Sequence, residues 1–479
     1  MNPDLKLVSE SDVEELYQET LTLLEKSGVT FNHEKALTLL DSNGAEVDFR
    51  NRVVKFPQTL IKEAVERIPK THSLYLRSED RKEVRFGIGK TYFLAGGYGK
   101  MVIDPQTGER RLGTSKDIEQ ILTIDDALES YELANCPLFP TDTQNSMVQI
   151  RAAELLFTKS TKPFTAEAEN LVEAKYVTRM AEAVAGGPEA LRKQPVMEFY
   201  ASCTSPLIWQ KDYLDVVIYA AEKCIPVSVA SAPIVGVTSP ITLAGTLILQ
   251  YAELLSAVTL LHLANRHLPI GLDLVPIMLN FKEGNCNVYS PERLLLEAAS
   301  VQFARLLHLP HFASVGMTDS KMPTMQAGYE KALGAVLLAL SGSEVIGPFG
   351  NLDDWMTTAP EIHVIDAEIV VSIKRILRGM EISPQTCARD IISNVGPGNS
   401  YLATEHTRKF FETEHSIPAI GFRGSWETLE KEGRNIFMEN ASKKVHDILS
   451  SHEPKPIGDL HAVSEVANEA EKTAYRLSA

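Results

Sequence analysis

Cysteine and histidine side chains, the usual ligands of a catalytic zinc ion, are scattered along this chain of 479 residues. A zinc-activated nucleophile needs three His, Cys or carboxylate ligands that converge on one face. Only Cys203 falls at the carboxyl end of an expected strand, whereas His311 falls at the start of one, on the opposite side of the fold. The five cysteines form neither a Cys-x-x-Cys pair nor an even disulfide framework. We therefore expect no bound metal and a reducing, cytoplasmic location.

Two glycine-rich segments have some features of nucleotide-binding loops but fail on spacing. Residues 87–91 (Gly-Ile-Gly-Lys-Thr) lack the first glycine of a P-loop, because Val84 holds its place, and a strand follows where a helix is required. Residues 96–99 (Gly-Gly-Tyr-Gly) precede a predicted hairpin turn at 104–108, so they do not form a dinucleotide fingerprint. We expect no nucleotide at either segment.

The formal net charge of −16 argues against nucleic acid or an anionic membrane surface as a partner. Both would need a surplus of Lys and Arg to neutralise phosphate groups. The N-terminus has no basic segment followed by an apolar one, so export is not expected. The most apolar window, 243–263, contains Gln250, Glu253 and His262, which are costly in hydrocarbon, and we predict no membrane span.

Short apolar runs alternate with helical stretches from Tyr92 onward, the pattern of βα units around a parallel sheet. Several runs begin at or just after a proline, which is tolerated at the first residue of a strand. Eight strands are the number that closes a (β/α)8 TIM barrel, with its active site at the carboxyl ends of the strands. Tyr98, just past the first strand, is thus a candidate pocket wall. The predicted strands are Tyr92–Gly96, Leu133–Phe139, Pro163–Glu167, Val196–Cys203, Pro226–Pro233, Pro269–Ile277, His311–Met317 and Glu344–Phe349.

Extensions are predicted on both sides of the barrel. Residues 1–90 indicate two amphipathic helices separated by a turn at Ser27–Gly28, a strand near 52–56 and a helix near 60–67. The barrel is assigned to 91–380. Residues 381–479 form a helical extension, with one helix at 426–450, a partly loose tail after Pro454 and a short last helix near 463–475. Helix starts are expected at Ser290–Pro291 and Ser239–Pro240, where a capping residue precedes a proline.

The segment 309–323 (Leu-Pro-His-Phe-Ala-Ser-Val-Gly-Met-Thr-Asp-Ser-Lys-Met-Pro), continuing into 326–331 (Gln-Ala-Gly-Tyr-Glu-Lys), resembles the segment of the trimethylamine methyltransferase family that carries pyrrolysine at the mouth of its barrel. Further matches to that family are spread over nearly the whole chain, in order and at matching spacing. They comprise Thr204–Leu207, Ser239–Pro240, Leu243–Leu247, Ser290–Glu292 and Val364–Asp366.

Met317 stands where the resemblance places pyrrolysine, and this departure bears on the substrate. In the family that this segment resembles, the imine of pyrrolysine converts a neutral methylamine into a quaternised adduct, from which a methyl group can depart. Methionine cannot do so. A substrate that is already quaternary needs no such help, because a neutral tertiary amine is then the leaving group. The resemblance is therefore to the non-pyrrolysine members that demethylate glycine betaine and similar quaternary amines.

The resemblance also implies the acceptor: the Co(I) corrinoid of a separate corrinoid protein. The Asp-x-His-x-x-Gly signature of proteins that carry a corrinoid themselves is absent here, so no tightly bound cofactor is expected. The protein must hold a methyl group in line with cobalt and exclude water. Homo-oligomerisation is a further expectation from the family alone.

A quaternary ammonium has no N–H to donate, so aromatic faces and carboxylates near the strand ends should recognise it. About half of the aromatic candidates are expected to be packing residues instead. If the substrate carries a carboxylate, Lys321 or Lys282 are possible partners, and His363 either serves likewise or caps a helix. The catalytic candidates are Met317, Glu167 and Asp319, and the remaining binding candidates are Tyr98, Phe139, Asp142, Tyr200, Phe349 and Trp355.

Two other functions remain open at this point. A barrel lyase or hydrolase could use a carboxylate such as Glu167 as its base, and would turn over without a corrinoid protein. A betaine-binding protein would bind tightly without methylating an added corrinoid. The sequence does not choose among glycine betaine, proline betaine, carnitine and gamma-butyrobetaine as substrates.

Overall fold

Eight parallel strands close into a barrel in the computed structural model, which describes residues 4–105, 107–433 and 435–478. Each strand pairs with the next along the chain, and the last pairs with the first. All eight predicted strands are confirmed, although most end earlier than predicted. Labelled in chain order, they are β1 Tyr92–Ala95, β2 Leu133–Ala134, β3 Phe164–Glu167, β4 Met197–Cys203, β5 Val227–Ser231, β6 Ile270–Leu274, β7 His311–Ser314 and β8 Val345–Phe349.

Helices surround the barrel and cover the outer faces of the strands, as a parallel sheet requires. Ser290 accepts a hydrogen bond from the Arg293 N–H, with Pro291 at the first helical position, as predicted. The helix expected to begin at Ser239–Pro240 starts later, at Leu243, with Thr242 as its N-cap residue, and the Ser239 hydroxyl bonds to the Thr246 hydroxyl instead. The surrounding helices are Ser115–Ala127, Val148–Lys159, Leu171–Ala185, Pro188–Lys193, Lys211–Lys223, Leu243–Ala264, Pro291–Leu306, Met325–Ser341 and Pro360–Arg378.

One helix, Leu243–Ala264, is long and apolar enough to cross a membrane by length and composition. In the fold, 83% of its apolar window is buried, and the N-terminal helices pack on it. Its Glu253 carboxylate accepts hydrogen bonds from the Ser205 and Ser231 hydroxyls and from the Leu207 N–H. A buried carboxylate whose hydrogen-bonding capacity is satisfied in this way is typical of a core helix.

The N-terminal extension contains the three predicted helices, Glu10–Lys26, Glu34–Ser42 and Gln58–Arg67. A small sheet lies with them. It is made of Val29–Phe31, Glu46–Asp48, Val53–Lys55 and, from the loop after β4, Ile208–Trp209. The strand predicted near 52–56 is thus confirmed, and it has partners that the sequence did not indicate.

A hairpin of His72–Tyr75 and Glu83–Phe86, which the sequence did not indicate, closes the amino-terminal end of the barrel. Its inward residues Leu74, Val84 and Phe86 are buried among barrel residues. The Phe86 ring lies 5.8 Å from the ring of Phe312 on β7. The barrel therefore has a hydrophobic floor.

Two small sheets build up the opposite end. One contains Ile234–Val235, Ile277–Leu279 and Cys286–Asn287, and the other contains Met101–Ile103, Arg110–Leu112, Asn351–Leu352 and Thr357–Thr358. The second sheet joins the loop after β1 to the loop after β8, because Thr357 and Thr358 pair with Met101 and Val102. The described residues of the predicted turn at 104–108 connect two strands of this sheet, which confirms the hairpin.

The C-terminal residues are helical, with differences from prediction. The single helix predicted at 426–450 is wrong: Trp426–Glu432 and Ile436–Ser451 are separate helices, and Gly433 (φ 104°) ends the first. The tail is not loose, because Val463, Ala467 and Ala470 of the helix Leu460–Ser478 are buried. The remaining helices here are Pro384–Cys387, Arg389–Val395 and Glu405–Glu414. The division at residues 90 and 380 stays a prediction.

Candidate active site

A cavity of about 290 Å³ lies inside the barrel at the carboxyl ends of the strands. Its size is at the lower end of the range for small-molecule sites, roughly 300–1,000 Å³. Every barrel strand or the loop that follows it contributes to the wall. The lining residues are Leu94, Gly97, Tyr98, Asn135, Phe139, Thr165, Glu167, Tyr200, Ser228, Ala232, Asp273, Val275, Ile277, Phe312, Ala313, Ser314, Met317, Val345, Gly347, Pro348 and Trp355.

Four of the predicted aromatic residues line this cavity: Tyr98, Phe139, Tyr200 and Trp355. Tyr98 has a left-handed backbone (φ 56°), and its hydroxyl donates to the Thr165 carbonyl at 3.2 Å. Its ring lies 5.3 Å from that of Phe139. This pair is held in place by the loop after β2, because the Tyr98 N–H donates to the Cys136 carbonyl and the Phe139 N–H to the Gly99 carbonyl.

Two carboxylates, Glu167 at the end of β3 and Asp273 on β6, also line the cavity. Burial, with a smaller contribution from Glu169, raises the pKa of Glu167 to about 7. Burial likewise raises the pKa of Asp273 to about 7, although a hydrogen bond from Ser314 and the nearby charge of Arg293 act in the opposite direction. A cation in the cavity would favour the ionised form of both groups.

Met317 lies on the cavity wall and is 4% exposed. The preceding Gly316 explains how it reaches this position. A Cβ atom on Gly316 would lie 2.4 Å from the Pro348 carbonyl oxygen, so only glycine allows the chain to pass this close to β8. The Gly316 N–H donates to the Gly347 carbonyl at 3.2 Å.

Trp355 is presented by a tight turn that is anchored to the segment after Met317. Asp353, Asp354 and Trp355 all have left-handed backbones, with φ between 55° and 58°, a conformation that is costly for such residues. The Asp353 N–H donates to the Ser320 carbonyl and the Asp354 N–H to the Thr318 carbonyl. Lys321 adds ion pairs to Asp353 at 2.7 Å and to Asp354 at 3.0 Å.

Lys321 and Asp319 therefore belong to this anchor and do not line the cavity. The side chain of Lys321 is 58% exposed. Asp319 accepts a hydrogen bond from the Val288 N–H at 2.7 Å. Burial, together with a hydrogen bond to Asp354, raises the pKa of Asp319 well above its usual range.

Four other sequence candidates lie elsewhere. Asp142 accepts bonds from the Ser115 N–H and hydroxyl at the start of a surrounding helix. Phe349 is buried against Phe93 and Tyr131, because alternate residues of a barrel strand face outward. His363 is buried between Asp125 and Thr358, 2.7 Å and 3.0 Å away. Lys282 is 90% exposed.

Asp273 is the most informative residue that the sequence prediction missed. It is a single carboxylate within the apolar run Ile270–Leu274, and a charged residue is almost never buried there without a reason. That contrast was the available signal. Neutral polar residues of the cavity, Asn135, Thr165, Ser228 and Ser314, gave no comparable signal because such residues are common in strands and loops.

The lining of the cavity combines groups that can attract a small organic cation. Aromatic faces and carboxylates attract a cation. Among the lining residues in the described part of the chain, none is Lys, Arg or His. No group of three or more His, Cys, Asp or Glu side chains placed to hold a metal ion occurs within residues 4–105, 107–433 and 435–478.

Comparison with known proteins identifies the family of this chain. The family "Trimethylamine methyltransferase (MTTB)" matches residues 1–466. Trimethylamine methyltransferase MttB of Desulfitobacterium hafniense (strain DSM 10664 / DCB-2) is 30% identical over 95% of this chain and 92% of its own length. A glycine betaine methyltransferase of D. hafniense (strain Y51) is 27% identical over 94% of each chain.

Among solved structures, the monomethylamine methyltransferase (MtmB) of Methanosarcina barkeri has the same fold. The TM-score is 0.56 at 14% sequence identity, over 92% of this chain and 88% of that one. The match supports the barrel fold, and the sequence relatives carry the family assignment. The chain belongs to the trimethylamine methyltransferase family and is a methyltransferase.

Proposed function

We propose that this protein takes a methyl group from a quaternary amine and transfers it to the Co(I) corrinoid of a separate protein. The observation that carries the proposal is one cavity that combines two buried carboxylates and Met317 with five aromatic residues, Tyr98, Phe139, Tyr200, Phe312 and Trp355. The glycine betaine methyltransferase among its relatives supports a quaternary substrate. The predictions of a homo-oligomer and a cytoplasmic location belong to the same proposal.

The reaction is a displacement that needs no proton. Co(I) supplies an electron pair to the methyl carbon, and a carbon–cobalt bond forms as the carbon–nitrogen bond breaks. The electrons of the broken bond stay on nitrogen, which leaves as a neutral tertiary amine. Cobalt is formally oxidised to Co(III), and the positive charge of the ammonium disappears.

The residues of the cavity position the cation and keep water away from it. Each contact with an aromatic face contributes about 0.5–2 kcal/mol to binding, and Glu167 and Asp273 supply negative charge. Because the substrate loses its charge in the transition state, very strong ground-state binding would slow the reaction. Shared, moderate contacts with several rings meet this condition better than one close ion pair.

Met317 contributes shape rather than an electrophile. A thioether forms no covalent adduct with a neutral amine, so trimethylamine gains no positive charge in this cavity. A substrate that arrives as a quaternary ammonium already has a neutral leaving group. Met317 packs against it as a flexible, polarisable surface.

A spectroscopic assay tests the proposal. The enzyme is mixed with a Co(I) corrinoid protein and a panel of quaternary amines, and formation of methyl–Co(III) is followed by absorbance. We expect a response to at least one quaternary amine and none to trimethylamine. A response to trimethylamine but to no quaternary amine would refute the proposal.

The pKa of Glu167, about 7, favours one alternative, because that value suits a general base at neutral pH. A lyase or hydrolase of this kind would convert its substrate in the absence of any corrinoid protein. Product analysis of the same mixtures without the corrinoid protein separates the two functions. Turnover there would support the alternative, and its absence would support methyl transfer.

A further inference from the structure

We infer that the substrate of this cavity is a quaternary ammonium whose fourth substituent is uncharged, such as a hydroxyalkyl or alkyl group, and that ammonium compounds bearing a carboxylate are disfavoured. This inference rests on the proposed function and narrows its substrate class. It departs from the betaines that the sequence resemblance suggested.

The first step is the charge of the cavity. Its ionisable lining residues within the described part of the chain are acids or tyrosines. A third carboxylate, Glu198, lies in the buried barrel interior, where it accepts a hydrogen bond from the Thr165 hydroxyl at 3.1 Å. The basic group nearest to Glu198 is His72 of the floor, 3.9 Å away, and both are buried. A substrate carboxylate would thus meet like charges in a medium that screens them poorly.

The second step is that cations close to the cavity are already bonded. Arg293 is fully buried, donates to the Val288 and Ser314 carbonyls and pairs with Glu297 at 3.3 Å. Lys321 is paired with Asp353 and Asp354. Neither side chain lines the cavity. A betaine carboxylate in the cavity therefore meets no cation among the described lining residues, and Arg293, whose Nε has no hydrogen-bond partner, is not one of them.

The third step is what the cavity offers instead. Asn135, Thr165, Ser228 and Ser314 provide neutral hydrogen-bonding groups, and Val275 and Ile277 provide apolar surface. These groups suit a hydroxyl or a short alkyl chain. With a volume of about 290 Å³, the cavity matches a compound of this small size.

Binding measurements test the inference with two compounds of nearly equal size and opposite character. Choline carries a hydroxyethyl group, and glycine betaine carries a carboxymethyl group, on the same trimethylammonium. By isothermal titration calorimetry at about pH 8, where Glu167 and Asp273 are mostly ionised, we expect choline and tetramethylammonium to bind at least roughly tenfold more tightly than glycine betaine. Equal or tighter binding of glycine betaine would overturn the inference.

Variants of the two carboxylates test its cause. Glu167→Gln and Asp273→Asn should weaken choline binding and should not weaken glycine betaine binding. The ratio of the Kd for glycine betaine to the Kd for choline should therefore fall. A ratio measured on one protein sample is insensitive to a partly misfolded fraction. Asp142→Asn, on the surface, is the matched control and should leave the ratio unchanged. A ratio that stays unchanged in both cavity variants would contradict the inference.

The methyl-transfer assay separates failure of the inference from failure of the proposed function. Faster methylation of the corrinoid from glycine betaine than from choline would overturn the inference and leave the proposed function intact. Methylation from trimethylamine alone would overturn the proposed function. If no quaternary ammonium bound, both would be wrong.

Discussion

The rings of Tyr98 and Phe139 lie 5.3 Å apart at an angle of 38°, and both line the cavity. They come from the loops after β1 and β2, which are joined by hydrogen bonds between Tyr98 and Cys136 and between Phe139 and Gly99. The Tyr98 hydroxyl is bonded to the Thr165 carbonyl on β3. Three consecutive strands therefore fix the orientation of one aromatic wall.

This wall can be tested by removing the ring of Tyr98. Tyr98→Ala should raise the Kd for tetramethylammonium by about 2- to 30-fold, the equivalent of one cation–π contact of about 0.5–2 kcal/mol. Calorimetry measures the change. Tyr98→Phe keeps the ring and loses only the hydrogen bond, so its Kd should stay close to that of the wild type. Equal losses in both variants would show that the hydroxyl, and not the ring, is what matters.

Substitution of Met317 distinguishes packing from chemistry. Met317→Leu nearly conserves volume and should lower kcat/KM for a quaternary amine by less than about tenfold. Met317→Lys places a cation in the cavity and should abolish binding of the ammonium substrate. Stopped-flow absorbance of the corrinoid follows both. A loss of more than about a hundredfold in Met317→Leu, with binding intact, would mean that the sulfur takes part in the reaction.

The pKa values of Glu167 and Asp273, both about 7, predict the pH dependence of binding. A cation binds the ionised carboxylates, and protons compete with it, so affinity falls as pH drops through 7. One such group would weaken tetramethylammonium binding about tenfold between pH 8 and pH 6. Titrations across this range measure the effect. In the double variant Glu167→Gln, Asp273→Asn the profile should be flat, and tighter binding at low pH would contradict the assignment.

Lys321 should act through the turn that carries Trp355. Lys321→Ala removes two ion pairs to this turn. Because the lysine is partly exposed, we expect only a two- to fivefold rise in KM, which corresponds roughly to the free energy of one surface ion pair. Steady-state kinetics measures the change in KM, and tryptophan fluorescence reports the loosening of the turn that carries Trp355. Lys282→Ala is the matched control, since that lysine is 90% exposed and pairs only weakly with its neighbour Glu283. Identical behaviour of the two variants would refute the anchoring role.

The buried pair of Lys331 and Asp366 should matter for stability. Both side chains are fully buried, and Asp366 also accepts a hydrogen bond from the Gly350 N–H at 2.7 Å. Lys331→Met leaves the carboxylate unpaired and should cost about 3–5 kcal/mol in the free energy of unfolding. Denaturant unfolding measures this change in the free energy of unfolding. Lys35→Met, which breaks an exposed pair with Glu222, should cost no more than about 1 kcal/mol. Similar costs in the two variants would be inconsistent with this view.

The barrel could be predicted from the sequence because its strands are short apolar runs, several of them introduced by proline, between helices with clear periodicity. Whether a strand side chain faces the barrel interior or the surrounding helices could not be predicted from the sequence. In a parallel barrel both faces of a strand are buried, so Phe349 and Asp273 have no alternation that separates wall from core. The positions of Lys321 and Asp319 depend on contacts with the turn at Asp353–Trp355, which is distant in sequence. The floor hairpin was missed because its strands, His72–Tyr75 and Glu83–Phe86, mix polar and apolar residues and do not form the apolar runs that marked the barrel strands.

The floor formed by Leu74, Val84 and Phe86 blocks the far end of the barrel. If a bulky corrinoid must reach the methyl group from the carboxyl ends of the strands, small molecules cannot leave the cavity while the corrinoid protein is docked there. The proposed reaction then follows a compulsory order: amine enters first, the corrinoid protein docks second, and the demethylated product escapes only after the macromolecule has departed. High concentrations of unmethylated corrinoid protein should consequently slow turnover, because the corrinoid protein docks before the demethylated amine has left the cavity.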